Sequence, residues 1–312
     1  MQKLSEIKQL LARAGHRPRR GLGQSFLIDP NLMNKLVSLA GLTGGETVLE
    51  VGAATGSLTE ELLGRARRVV AVEMDKALAE ILGRRLSQRE NLTILNRDAL
   101  AGKHALAAEV LAALAPDRSV HLVANLPFSV AVPVIINCLL RSWQAVKAGR
   151  AAEGSAQVRF DTLTFTVQKE LADRLTAGVG EAAYGRVSVI VALLSRVQAG
   201  KVMPPEAFWP RPKVHSQMVR LDFDAAAAAR LADAASLCAV LSATFGLRRK
   251  QVAAAARSRS FPFPREQFLA ALASAGIDAG RRPQEVAPGG FLALANLLAC
   301  PTGKGEHGTM QN

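Results

Sequence analysis

A chain of 312 residues with 49% hydrophobic content is long enough to bury a large α/β domain and a smaller one, so an unfolded or fibrous protein is excluded and a soluble globular one expected. A formal net charge of +13 points to a polyanionic partner, because such a surface gains affinity by displacing counterions from phosphates; a merely solvated Arg-rich surface is the competing reading. Cys138, Cys238 and Cys300 lie far apart without C-x-x-C or Cys/His spacing, which suggests neither a disulfide framework nor a zinc site and fits a reducing cytoplasm.

Leu4, Ile7, Leu10 and Leu11 recur at helical spacing among charged residues, predicting an amphipathic helix rather than a signal peptide. The basic stretch Gly15 to Gly23 reads as a flexible arm. Thr47 to Val51 is a short apolar strand that runs into a glycine turn. From there strands at Arg68 to Glu73, Leu92 to Asn96 and Val120 to Ala124 alternate with helices at Lys76 to Leu86 and Val132 to Val146, the signature of parallel strands with crossover helices. Arg150 to Ala156 reads as a loop, and strands follow at Thr162 to Gln168, Ser195 to Val202 and Val214 to Phe223. The proline-punctuated run Met203 to Pro212 is predicted to contain no helix. From Asp224 the sequence turns alanine-rich and helical, which places a domain boundary there. Residues 301–312 are polar and read as a disordered tail. No segment is apolar enough to span a bilayer.

Three features fall at the ends of successive strands. The turn Glu50-Val51-Gly52-Ala53-Ala54-Thr55-Gly56 brings glycine where a ligand approaches backbone, but lacks the middle glycine of the G-x-G-x-x-G dinucleotide fingerprint. Glu73 ends the second strand, where a carboxylate accepts both hydrogen bonds of a ribose diol; Asp98, after the third, suits the exocyclic amine of an adenine. Each taken singly is as well read as a surface acid or a structural turn; together they fit an adenosine ligand at the carboxyl edge of an open sheet.

At that same edge lies Asn125-Leu126-Pro127-Phe128. The lone pair of adenine N6 is delocalised into the ring, so methylating it requires the amine to be held with that lone pair turned toward the donor. The Asn125 side-chain oxygen and the Leu126 carbonyl suit the two N6 protons, Pro127 stiffens the turn, and Phe128 offers a stacking face. A strand-terminating turn with a buried Phe is the plainer reading.

The tetrapeptide resembles the N-L-P-Y motif of the ribosomal RNA adenine N6-dimethyltransferases of the KsgA/RsmA family, and the likeness extends over nearly the whole chain. Gly23-Gln24-Ser25-Phe26-Leu27 is similar to the family's G-Q-N-F-L, and Glu50-Val51-Gly52 opens its cofactor loop. Gln168-Lys169-Glu170, Tyr184 to Val189, Phe208 to Ser216, Phe245 to Lys250 and Arg281 to Glu285 resemble further blocks in the same order. Ser25 stands at the usual Asn, Ala53-Ala54 at the usual Pro-Gly, and Phe128 at the usual Tyr.

The resemblance implies an α/β, Rossmann-like S-adenosylmethionine-dependent methyltransferase sheet over residues 1–223, carrying the basic arm, and a small all-α RNA-binding domain over 224–300. It implies that Ser25, Leu27, Gly52, Glu73, Asp98 and Asn125 hold S-adenosylmethionine while Asn125, Leu126, Pro127 and Phe128 hold the target adenine. Arg17, Arg19 and Arg20 of the arm, with His16 beside them, are expected to meet RNA phosphate. So is the run Arg248, Arg249, Lys250, Arg257 and Arg259, read as one helical segment, although a solvated face is the usual reading of such a run. The implied partner is small-subunit ribosomal RNA in an immature 30S subunit, with a monomeric, cytoplasmic enzyme, no metal and no membrane. The related large-subunit adenine methyltransferases, a non-catalytic assembly factor and, more distantly, a nicotinamide oxidoreductase remain as alternatives.

Overall fold

Short β-branched runs become strands and the amphipathic runs between them become helices, in a computed structural model that describes residues 1–19, 23–149, 154–257 and 261–299. Helix α1 (Leu4–Arg13), the two-residue strand β1 (Phe26–Leu27) and helix α2 (Pro30–Ala40) come first. Then follow β2 (Thr47–Val51), α3 (Ser57–Leu63), β3 (Arg68–Glu73), α4 (Lys76–Leu86), β4 (Leu92–Asn96), α5 (Ala108–Leu114), β5 (Ser119–Asn125), α6 (Ala131–Ala148) and β6 (Arg159–Gln168). Helices α7 (Lys169–Thr176) and α8 (Arg186–Leu194) lead to β7 (Ser195–Met203), the two-residue β8 (Phe208–Trp209) and β9 (Ser216–Phe223). Beyond Phe223 the described residues are helical: α9 (Ala225–Ala229), α10 (Ala234–Gly246), α11 (Arg265–Ser274) and α12 (Pro288–Ala299).

The principal sheet runs β4-β3-β2-β5-β6-β9-β7, parallel from β4 through β6, with β9 antiparallel to both its neighbours. The parallel alternation read in the sequence stops at β6 for a physical reason. Residues 204–215, which separate β7 from β9, carry four prolines and no α-helix to cross over the sheet, so the chain turns back and the two strands pair antiparallel. That link is the proline-rich run, and it contains one short 3-10 turn, Pro205–Ala207, where no helix was expected. Proline suits the first position of such a turn because its fixed φ matches and its missing N–H has no partner there. The next two residues form β8, which pairs antiparallel with β1 through Phe26↔Trp209 and Leu27↔Phe208. Neither of these two-residue strands has enough length to show a period in sequence.

The hydrophobic cluster under one face of the sheet continues without a break into the C-terminal helices, from Leu49, Leu122 and Phe165 through Tyr184 and Val189 to Leu241, Phe268 and Phe291. Tyr184, fully buried, donates its hydroxyl to the Val286 carbonyl at 2.9 Å, and its ring meets the edge of Phe245, which in turn packs on Phe291. The sequence blocks around Tyr184 and Phe245 thus join the helices to the sheet. One expectation is corrected here: Arg248, Arg249 and Lys250 lie in the turn after α10, not on a helical segment, because α10 ends at Gly246. Arg259, Cys300 and the tail 301–312 lie outside the described residues.

Candidate active site

In the strand order β4-β3-β2-β5, chain connections leave β2 and β5 in opposite directions, and ligands of open α/β sheets enter at the carboxyl ends beside such a reversal. The β2–β5 ladder pairs Thr47 with Val120 through Leu49 with Leu122 and goes no further. Past it the two strand ends form the walls of a crevice lined by the residues after β2, β3, β4 and β5 and by Gly23 to Leu27. All nine residues assigned from sequence to cofactor or base line it: Ser25, Leu27, Gly52, Glu73, Asp98, Asn125, Leu126, Pro127 and Phe128.

Gly52 has φ +79°, and a Cβ there would stand 3.0 Å from Pro127 Cγ, so glycine is required both by the backbone and by contact between the two turns. Ala54 holds φ +53°, a left-handed conformation costing an L-residue roughly 1–2 kcal/mol. Ala54→Gly is therefore expected to stabilise the protein by about 0.5–1 kcal/mol, once the extra unfolded-state entropy of glycine is offset. Urea denaturation measures this; an unchanged or lower midpoint refutes the strain.

Glu73 is 7% exposed, and its two oxygens accept one backbone N–H each, from Ala54 and Asp75, both at 2.8 Å. Each oxygen keeps a lone pair, which is the pattern needed to accept both hydroxyls of a ribose. Burial pushes the Glu73 carboxyl above its ordinary range. Asp98 accepts from the Leu100 amide at 3.0 Å and stands exposed at the rim. Glu50, on β2 next to β3, also lines the crevice; the sequence pattern names it in the turn but gives it no role. It is 2% exposed, takes the Thr59 hydroxyl at 2.6 Å, and burial pushes its pKa up to about 8, with Glu73 adding repulsion. Its position inside a strand, as the polar residue of an apolar run, was the available signal.

The Asn125 turn is held from two sides. Asn125 Nδ2 donates to the Ser25 carbonyl at 2.8 Å, and Asn125 Oδ1 accepts from the hydroxyl of Thr166, its register partner on β6. Ser25 lines the crevice, yet its hydroxyl is spent on the Pro210 carbonyl at 3.0 Å, so its side chain supports the proline-rich run instead of replacing the amide contact of an Asn. Trp209 stacks on Phe26 at 6.0 Å between ring centroids, which fixes the short β1–β8 ladder beneath this relay. Gly23, at φ +67°, brings the end of the arm to the turn; a Cβ there would lie 3.3 Å from Phe128 N.

A family model described as ribosomal RNA adenine dimethylase matches residues 15–299. The chain belongs to that family. It is 36% identical over 298 residues to the ribosomal RNA small subunit methyltransferase A of Phenylobacterium zucineum, covering 95% of this chain and 93% of the relative. The enzymes of the same name from Geobacillus thermodenitrificans (34% over 294 residues, covering 93% and 94%) and Alkaliphilus oremlandii (32% over 295, covering 94% and 96%) are similar at full length. Among solved structures, a dimethyladenosine transferase from Plasmodium falciparum shares the fold with a TM-score of 0.65 at 22% identity, covering 86% of this chain and 95% of that one. The 23S rRNA methyltransferase ErmE gives 0.58 at 25% identity, covering 88% and 99%. The chain is thus an S-adenosylmethionine-dependent methyltransferase by fold and an adenine dimethyltransferase by family.

The basic residues lie elsewhere. Arg17 and Arg19 are exposed, Arg249 and Lys250 are exposed, and Arg248 is half-buried with Nη2 donating to the Ala182 carbonyl at 2.7 Å; Arg20 lies outside the described residues. The arm, read as flexible, folds back in its described parts onto Asp75, which is buried and caps α4 through the Ala77 and Leu78 amides. Gln24 Nε2 donates to Asp75 Oδ2 at 3.3 Å, and His16 Nε2 and Arg19 Nε lie 3.6 and 3.7 Å from that oxygen. The His16 side chain is buried there, so its expected place among the phosphate-contacting residues is corrected: a buried carboxylate draws the ring inward. Among the described residues no cluster of ligating side chains is arranged for a metal ion, and no helix is long and apolar enough to cross a membrane.

Proposed function

We propose that this enzyme uses S-adenosylmethionine to dimethylate N6 of adenosines in a hairpin loop near the 3′ end of small-subunit (16S) ribosomal RNA. It acts as a monomer on the immature 30S subunit in the cytoplasm. The observation that carries this reading is the meeting, in one crevice, of the Gly52 turn and Glu73 with the Asn125-Leu126-Pro127-Phe128 turn. The small-subunit relatives at 32–36% identity favour that substrate over the large-subunit one of ErmE.

The residues present fit the cofactor. Glu73 offers a free lone pair on each oxygen to the ribose, Gly52 leaves its backbone open to close approach, Asp98 stands at the adenine end, and Ser25, Leu27 and Asn125 close the remaining wall. When bound, S-adenosylmethionine supplies an electrophilic methyl group on a sulfonium. Asn125 Oδ1 and the Leu126 carbonyl then hold the two N6 protons of the target, which turns the nitrogen lone pair toward that methyl. Phe128 stacks the base and Pro127 keeps the turn rigid. Positioning of this kind supplies roughly 7–11 kcal/mol, enough that no strong general base is needed, and the N6 proton leaves after alkylation makes it acidic. A base in a loop is splayed into the crevice at a lower cost than a paired one.

The test is methyl transfer from labelled S-adenosylmethionine to immature small subunits, read by nucleoside mass spectrometry. Dimethyladenosine in 16S RNA supports the reading; tight cofactor binding without product overturns it in favour of an assembly factor. For RNA docking, Arg17, Arg19 and Arg20 flank the crevice in sequence, and Arg248, Arg249 and Lys250 offer phosphate contacts from the helical region. The double change Arg249→Gln, Lys250→Gln should reduce the slope of log K against log salt by about two units, with little loss of sequence preference. Arg248 is a poorer probe because it also ties down Ala182. An unchanged slope assigns the RNA surface elsewhere.

A further inference from the structure

We propose that Thr166 is a positioning residue for the second of the two methyl transfers. This rests on the reading of Asn125 as the group that receives an N6 proton, and goes beyond it.

Thr166 is buried, sits opposite Asn125 in the β5–β6 register, and donates its hydroxyl to Asn125 Oδ1. On the other side the Ser25 carbonyl can only accept, so it takes the amide nitrogen and fixes which end of the amide is oxygen. With its orientation set, Asn125 Oδ1 has two lone pairs. Thr166 occupies one, and one remains for the substrate.

The two transfers load that oxygen differently. Unmodified adenine brings two N6 protons, one for Asn125 Oδ1 and one for the Leu126 carbonyl. In each transfer the N6–carbon bond forms as the carbon–sulfur bond breaks with its electron pair on sulfur, and an N6 proton leaves to water. N6-methyladenine returns with one proton and a methyl group in place of the other. When that methyl faces Asn125, Oδ1 loses its substrate donor while the bound base covers it. A buried acceptor left with no partner slows a step by roughly tenfold or more. The Thr166 hydroxyl prevents this, because it leaves Oδ1 with one hydrogen bond in both rounds. Thr166 therefore matters little while two N6 protons are present and much once a single proton remains.

Thr166→Val removes the hydroxyl at nearly constant shape on a buried strand; Thr166→Ser restores it. In single-turnover assays on immature small subunits, Thr166→Val should form N6-methyladenosine within about threefold of the wild-type rate. It should form dimethyladenosine about tenfold more slowly, so that the monomethyl product accumulates. Thr166→Ser should return the wild-type ratio, and the affinity for S-adenosylmethionine should stay within about twofold in both. A wild-type ratio of products in Thr166→Val overturns the proposal. A second readout needs no turnover: the Asn125 side-chain amide NMR signals, identified by their absence in Asn125→Ala. These should lose exchange protection in Thr166→Val and regain it in Thr166→Ser; protection equal in all three folded proteins also overturns it. Absence of any methyl product from the wild type instead overturns the functional reading, and the amide signals then still decide whether Thr166 holds Asn125.

Discussion

Asn125→Ala will lower methyl transfer to small-subunit RNA by about 10²–10³-fold, the loss that follows removal of one preorganised hydrogen-bonding group from a reacting centre. The side chain is anchored at both ends, to the Ser25 carbonyl and the Thr166 hydroxyl, so it meets the substrate in a fixed orientation and spends no energy reorganising. Alanine leaves Gly52, Glu73 and Asp98 in place, so cofactor affinity should fall far less than turnover. Nucleoside mass spectrometry of the product, with cofactor titration beside it, separates the two. Turnover within tenfold of wild type would remove Asn125 from the chemistry. The truncation also strands a carbonyl and a hydroxyl inside the fold, at a stability cost of roughly 1–3 kcal/mol, so both measurements belong well below the unfolding temperature.

The second large effect is on stability. Glu50→Gln should stabilise the protein relative to wild type increasingly as pH rises from about 5 to 9. The Glu50 carboxyl is fully buried and its pKa is pushed up to about 8 from 4.5 in the unfolded chain. Between those values the native state keeps a proton that the unfolded state has released, so native stability declines with rising pH. The stabilising contribution is complete below the unfolded value and lost as pH passes the folded one. Glutamine, which never ionises, escapes the decline, and the difference should reach on the order of 3–5 kcal/mol above pH 8. Urea denaturation of the two proteins at pH 5 and pH 9 measures it. A difference that stays constant across that range would mean that Glu50 is already ionised in the native state.

Much of this site was legible in the sequence because each of its parts terminates a strand. Thr47 to Val51, Arg68 to Glu73 and Leu92 to Asn96 have the same bounds in the sequence pattern as in the structure, so the sequence alone sets Gly52, Glu73 and Asp98 at a common edge. What escaped was set by long-range pairing. Strands β1 and β8 exist because Phe26–Leu27 and Phe208–Trp209 find each other across the chain, and two residues carry no periodicity. Thr166 looks like any β-branched strand residue until the register sets it beside Asn125. The arm looked mobile because its glycines and arginines are typical of loops, while the carboxylate that gathers it, Asp75, lies more than fifty residues away from Arg19 and Gln24 along the chain. Arg248 to Lys250 were misread as helical because charge patterning says nothing of where a helix stops, and α10 stops at Gly246.

The uninterrupted cluster that joins Leu49 and Phe165 to Leu241 and Phe291 bears on how the chain comes apart. The C-terminal helices and the sheet share one set of buried side chains, so neither half keeps an intact interior when the other melts. Removing everything after Phe223 would strip Tyr184 and Val189 of their cover. Folding is then a single cooperative event, and a ligand that tightens the crevice beside Glu73 is felt as resistance to opening in α12, at the opposite end of the sequence.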